Sequence, residues 1–199
     1  MLEINEWYNT KLKQFGEGDF RSLYWGDKEG KSAKARYQQM FEQYDWSNKR
    51  VLEIGCGWGS FFDFNFKCNY YYGIDINSKL INIANKKYKD NNKIFAESNI
   101  FHHQSIQSNF DIAISSGVAG NRQGPADTPK KLHHYLKFMF NSASISMINF
   151  PSVWATVRTE MVEYFSPEYV LGQALLITPN VELIHKHKFD FLLIMKNEG

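Results

Sequence analysis

Glu53, Gly55, Gly57 and Gly59 are the residues with the clearest chemical meaning, set in the run Val51-Leu52-Glu53-Ile54-Gly55-Cys56-Gly57-Trp58-Gly59-Ser60. An apolar run that breaks into alternating glycines and resumes with helical spacing reads as a strand, a turn and a helix. Glycine tolerates positive φ and lets a ligand lie against the backbone, while the helix start presents free amides to it. A nucleotide-containing cofactor suits such a turn. A second acid, Asp75, ends the run Tyr72-Gly73-Ile74-Asp75-Ile76-Asn77. It falls at the carboxyl edge of the sheet, where open α/β folds bind ligands, and can accept two ribose hydroxyls.

Spacing separates the nucleotide classes. A dinucleotide fingerprint needs glycine at 55, 57 and 60, and position 60 is Ser60. A phosphate-binding loop is excluded because no Gly-Lys-Ser/Thr follows. With an acid followed by G-x-G-x-G, the chain resembles the class I S-adenosylmethionine-dependent methyltransferases over roughly residues 32–197. The resemblance implies an α/β Rossmann-like fold: a seven-stranded, mostly parallel sheet with a reversed last strand and helices on both faces. It implies S-adenosylmethionine as cofactor and S-adenosylhomocysteine as its product form. The glycine motif (Glu53, Gly55, Cys56, Gly57, Gly59), Asp75 and Ile76, then Asn99 and Ile100 at the adenine, and Ser115 and Ser116 near the methionine would hold it. The family usually has aspartate where this chain has Asn99, which keeps an acceptor oxygen and adds a donor. Relatives pair an arginine ahead of the first strand with the cofactor carboxylate, and Arg36 stands in that place.

Methyl transfer from a sulfonium is an in-line displacement, so positioning and water exclusion supply much of the catalysis. A hydroxyl acceptor benefits from a base, for which His133, His134 and Tyr164 are the candidates, with His102 and His103 as loop alternatives. Each also reads as an ordinary surface or packing residue. His185 and His187 fall on an edge strand away from the cofactor. Tyr24 and Trp25 suit a lid whose ring faces meet the sulfonium, and Trp154 and Arg158 suit the acceptor pocket. Asp127 with Asn121 is the only nearby metal pairing. Its Gly-rich surroundings read as a flexible loop, so no metal is expected.

These residues need a frame. β-rich runs at Arg50–Gly55, Tyr70–Asp75, Lys93–Glu97, Phe110–Ser116 and Ser144–Phe150 alternate with helical runs at 32–44, 58–66, 78–88 and 128–140, the pattern of a parallel sheet with crossover helices. A helix from Ser166 to about Ile177 leads to two apolar runs, Val181–His187 and Phe189–Lys196. Separated by one residue, these suggest an antiparallel pair at the sheet edge. Residues 1–31, aromatic but interrupted by glycines, read as a partly helical arm or lid on a single domain spanning 32–199.

The chain has 199 residues with 23 Lys+Arg against 21 Asp+Glu, which gives no basic field for an extended nucleic-acid partner. The Asn/Asp-Pro-Pro-aromatic signature of base amino methyltransferases is missing after the fourth strand, as is the Pro-Cys signature of cytosine C5 enzymes. No apolar run approaches the roughly 20 residues that span a bilayer, and the start lacks a secretory signal. A cytoplasmic protein with two reduced cysteines, no nucleic acid and no membrane follows. The reading is O- or N-methylation of a small molecule, with a non-catalytic cofactor-binding protein as the alternative. Ser60 disfavours an NAD-dependent oxidoreductase.

Overall fold

The computed structural model describes residues 4–102, 106, 109–121, 126, 128–186 and 188–197. His103, Arg122 to Pro125, Asp127 and His187 lie outside them. The strands are β1 (Arg50–Ile54), β2 (Tyr70–Asp75), β3 (Lys93–Glu97), β4 (Phe110–Ser115), β5 (Ala143–Pro151), β6 (Val181–Ile184) and β7 (Asp190–Lys196). They form one seven-stranded sheet in the order β3-β2-β1-β4-β5-β7-β6. The first five are parallel to one another, and β7 runs antiparallel between β5 and β6. After β1 the chain builds outward through β2 and β3, then returns to place β4 on the other side of β1. That reversal opens a crevice above the carboxyl ends of β1 and β4.

The helices are α1 (Ile4–Phe15), α2 (Lys31–Phe41), α3 (Ser60–Asp63), α4 (Ser78–Lys87), α5 (Pro129–Ser142) and α6 (Pro167–Leu175). Side chains alternate across the sheet with the period of two that a strand imposes. Leu52, Ile54, Phe191, Leu193 and Met195 pack under α5 and α6. Val51, Ile112, Ile114, Leu192 and Ile194 pack under α2, α3 and α4. Each such burial stabilises by about 1.5–3 kcal/mol. Caps set the helix starts: the Asn77 side chain accepts from the Lys79 and Leu80 amides, Thr128 from Lys131 and Ser166 from Tyr169.

Three expectations shift. The arm holds a full three-turn helix, because residues 4–15 contain neither Gly nor Pro and the breaks begin at Gly16, whose φ of 84° ends α1. The helix after the glycine turn is only four residues long. Asn65 takes a left-handed φ of 63° and returns Phe66 to the core beside Phe61. β6 stops at Ile184, so His185 is not on the strand; it packs between Trp154 and Phe191 at the carboxyl edge of the sheet.

Candidate active site

A cavity of about 320 Å³ lies over the carboxyl ends of β1, β2 and β4. Its floor is the turn after β1, where Gly55 and Gly57 have φ of 76° and 55°. At these positions a side chain would be strained, and at Gly55 a Cβ would sit 2.0 Å from Val118 Cγ2. Asp75 stands at the centre of the lining. Its Oδ2 accepts the Gly57 amide at 2.9 Å and its Oδ1 the Asn77 amide at 2.9 Å. Burial raises the Asp75 pKa, and the amide donors of Asn77, Gly57 and Ile76 work against that rise. The carboxylate therefore fixes the turn while still facing the cavity, with acceptor capacity left for a ligand.

Ser98, Asn99, Ile100 and Phe101 form one end of the cavity, after β3, and Ser116, Gly117 and Val118 form the other, after β4. Ile4 and Tyr8 of α1, with Leu23 and Trp25, complete the roof. The arm is secured by contacts far apart in sequence. The Asn77 side chain donates to the Asn5 carbonyl at 3.4 Å, Tyr8 donates to Asn121, and the Tyr24 hydroxyl lies 3.2 Å from Thr159 Oγ1. Phe20 and Leu23 pack with Trp58 and Leu80.

A family model described as a methyltransferase domain matches residues 52–138, from β1 through most of α5. This stretch of the chain is a methyltransferase domain. Solved structures share the fold at low identity. N-methyltransferase NodS from Bradyrhizobium japonicum, crystallised with S-adenosylhomocysteine, is 16% identical, with TM-score 0.68 over 96% of this chain and 98% of its own. Magnesium protoporphyrin IX methyltransferase from Synechocystis is 12% identical, with TM-score 0.64 over 96% and 94%. The DhpI complex with S-adenosylhomocysteine is 11% identical, with TM-score 0.69 over 98% and 95%. No curated protein matches the sequence.

The cavity of this methyltransferase fits its cofactor on its own evidence. Among the described residues Ser116 Oγ, buried there, has no hydrogen-bond partner, a cost that a polar ligand relieves. The glycine backbone and the Asp75 carboxylate add the flat wall and the acceptor that a nucleoside needs.

Of the residues singled out in the sequence, Gly55, Cys56, Gly57, Asp75, Ile76, Asn99, Ile100, Ser116 and Trp25 line the cavity. Others have different partners. Glu53 is fully buried beneath the turn, where Tyr37 donates to Oε1 at 2.6 Å and Tyr71 donates to Oε2. Gly59 packs: a Cβ there would lie 2.8 Å from the Tyr88 ring and 2.9 Å from Phe95. Ser115 donates to the Ile54 carbonyl at 3.0 Å and ties β4 to β1. Arg36 is drawn away from the cavity by Asp190, which accepts from its Nε at 2.6 Å. Its guanidinium covers the Trp25 ring at 4.9 Å, and Trp25 also abuts Gly117.

The three candidate bases do not line the cavity. His134 Nε2 lies 3.3 Å from the Ile100 carbonyl and its ring packs on Phe101, at the end nearer Asn99. The neighbouring His133 is half-buried. The Tyr164 hydroxyl accepts the Thr159 amide at 2.9 Å under the Arg158 guanidinium, 5.4 Å from its ring centre. Arg158 donates to the Ala155 carbonyl, and Trp154 is 58% exposed beside His185. Among the described residues no group of His, Cys, Asp and Glu could hold a metal, and no helix is long and apolar enough to cross a membrane.

Sequence reasoning missed Tyr8, Tyr37 and Lys131, which also line the cavity, and weighed Asn121 only as a metal ligand; Val118 lines it as expected from its place after β4. A signal existed for the first. Ile4, Tyr8 and Leu12 follow i, i+4 spacing, an apolar stripe that needed something to cover.

Proposed function

We propose that this methyltransferase acts on a small-molecule acceptor that enters beneath α1 and meets the donor methyl at the Ser116–Val118 end of the cavity. The observation that carries the reading is the roof: Ile4, Tyr8 and Trp25 close over a cavity of about 320 Å³, a volume suited to small ligands. The name of one structural neighbour, a magnesium protoporphyrin IX methyltransferase, agrees with an acceptor of this class.

When bound, the cofactor supplies an electrophilic methyl on a sulfonium. In this reading the chain's own groups orient and exclude. Asp75 takes the ribose hydroxyls, Asn99 and Ile100 border the adenine, and Ser116 Oγ meets the polar methionine end. The Gly55 and Gly57 backbone lets the ligand lie flat, and α1 keeps water out. Arg36 braces Trp25 from behind, and the arm of residues 1–31 serves as a lid on the domain of residues 32–199. Free thiols at Cys56 and Cys68 suit a reducing, cytoplasmic setting.

Incubating the protein with methyl-labelled S-adenosylmethionine and pooled small metabolites, against peptides and nucleic acids, tests the proposal. Label in the small-molecule pool is expected. Label confined to a macromolecule would overturn it.

A further inference from the structure

Beneath the glycine turn a chain of hydroxyls runs from the core to the cavity. Glu53 is fully buried, and the Tyr37 hydroxyl donates to its Oε1 at 2.6 Å. Ser60 Oγ lies 3.3 Å from the same Tyr37 oxygen, and both Tyr37 and Ser60 line the cavity. Three elements meet here: β1 supplies Glu53, α2 supplies Tyr37, and Ser60 is the first residue of α3. The titratable groups that face Glu53 are Tyr37 from α2, Tyr71 and Asp75 from β2, Cys56 in the turn and Cys68 ahead of β2. Burial raises both tyrosines and both thiols, so these four stay neutral, whereas Glu53 titrates at about 7. A phenol has one proton. With Glu53 ionised, Tyr37 commits that proton to Oε1, so Ser60 turns its own proton to the Tyr37 oxygen and offers the cavity lone pairs only. A proton added to Glu53 belongs on Oε1. On Oε2 it would displace the Tyr71 proton, which has no second acceptor among the described residues, whereas Tyr37 can turn to Ser60. The chain then runs the other way, and Ser60 presents its hydrogen to the cavity.

Resting on the cofactor placement proposed above, we infer that Ser60 Oγ receives the α-ammonium of the cofactor, and that Glu53, acting through Tyr37, sets whether it can. The assignment follows from the donors that the cofactor carries. In that placement its adenine amine lies at the Asn99 end and its ribose hydroxyls on Asp75, which leaves the ammonium as the strong donor still to be received. The relay matches it. A cation donates to Ser60, Ser60 to Tyr37 and Tyr37 to a carboxylate, so every proton points toward the negative charge and the positive charge sits at the outer end. With Glu53 protonated, the ammonium meets a hydrogen instead of a lone pair. Glu53 is a positioning residue here, since it never touches the ligand. Ammonium binding and Glu53 ionisation are therefore linked, and cofactor affinity rises with pH through the range in which Glu53 loses its proton.

Calorimetry on the whole protein at pH 5.5 and pH 7.0 compares S-adenosylhomocysteine with the analogue that carries hydrogen in place of the α-amino group. An α-ammonium keeps most of its charge at both values. Asp75 meets the ribose of both ligands alike, so its titration cancels in the ratio of their affinities. The preference for S-adenosylhomocysteine should grow about tenfold from pH 5.5 to pH 7.0, the scale of one hydrogen bond to a charged group. Glu53→Gln, which keeps the shape and removes the titration, should hold the preference constant between the two. Ser60→Ala should lose the preference at pH 7.0 and leave the affinity of the analogue unchanged. A wild-type preference that does not change with pH, one that changes equally in Glu53→Gln, or a full preference at pH 7.0 in Ser60→Ala would overturn the inference while leaving the cofactor placement standing. Failure of wild type to bind either ligand would overturn that placement, and the inference with it.

Discussion

Arg36 and Asp190 meet through a 2.6 Å ion pair between α2 and the first residue of β7, 154 positions apart, with 20% and 11% of their side chains exposed. The pair joins the helix behind Trp25 to the reversed strand, and so couples the roof of the cavity to the sheet. Removing one partner leaves the other charge half-buried, which costs about 3 kcal/mol. Arg36→Ala should lower the unfolding free energy by about that amount, and chemical denaturation measures it. S-adenosylhomocysteine affinity of the folded protein should be unchanged. A selective loss of S-adenosylhomocysteine binding with adenosine binding intact would return Arg36 to the cofactor carboxylate.

Asp75 makes a second prediction. With its oxygens shared between the turn and the cavity, Asp75→Ala should cost about 1–3 kcal/mol of cofactor affinity, or roughly fivefold to 150-fold. Asp75→Asn should also weaken binding, because its amide group would face a backbone donor from Gly57 or Asn77. Calorimetry with S-adenosylhomocysteine decides the matter. Full affinity in Asp75→Ala would remove the ribose role.

Glu53 gives a pH dependence. Burial pushes its pKa up to about 7, against the pull of hydrogen bonds from Tyr37 and Tyr71. The native state therefore holds this proton more tightly than the unfolded chain does. Between the unfolded value of 4.5 and the folded value near 7 the unfolded state binds fewer protons, so the Glu53 contribution to stability falls as pH rises. It is fully present below that window and lost above it. Urea denaturation at pH 5 and pH 7.5 should show wild type losing about 1–3 kcal/mol more than Glu53→Gln over the interval. Parallel profiles for the two proteins would refute the assignment.

Gly55 and Val118 predict a repairable defect. Gly55→Ala places a methyl 2.0 Å from Val118 Cγ2 at a φ of 76°, and should destabilise by about 2 kcal/mol or more while weakening the cofactor. Val118→Ala in the same chain should recover the steric share but not the backbone strain. Additive losses in the double variant would mean that the clash is relieved elsewhere.

The sheet was legible because its information is local. Every strand lies within a residue or two of its apolar run except β6, and the single residue between the last two runs marked the antiparallel pair. Gly55, Gly57 and Asp75 were legible for the same reason: a turn that needs positive φ and a carboxylate at a strand end leave their mark in adjacent residues. The boundary of α3 was not legible, because the packing of Phe66 beside Phe61 overrides helical spacing in a four-aromatic stretch.

What the sequence by itself determined, then, is the floor of the site and the kind of ligand it holds. Tertiary structure decided the roof and the acceptor end. Glu53 looked like a cofactor ligand until Tyr37 and Tyr71 were seen to take both of its oxygens, and Arg36 looked free until Asp190 arrived from 154 residues away. Tyr8 and Asn121 carry no motif, since their hydrogen bond exists only where α1 crosses the turn after β4. The physical reason is common to all four. A side chain's partners are set by the competition of every group within hydrogen-bond reach, and that competition is settled by chain crossings that no local spacing records.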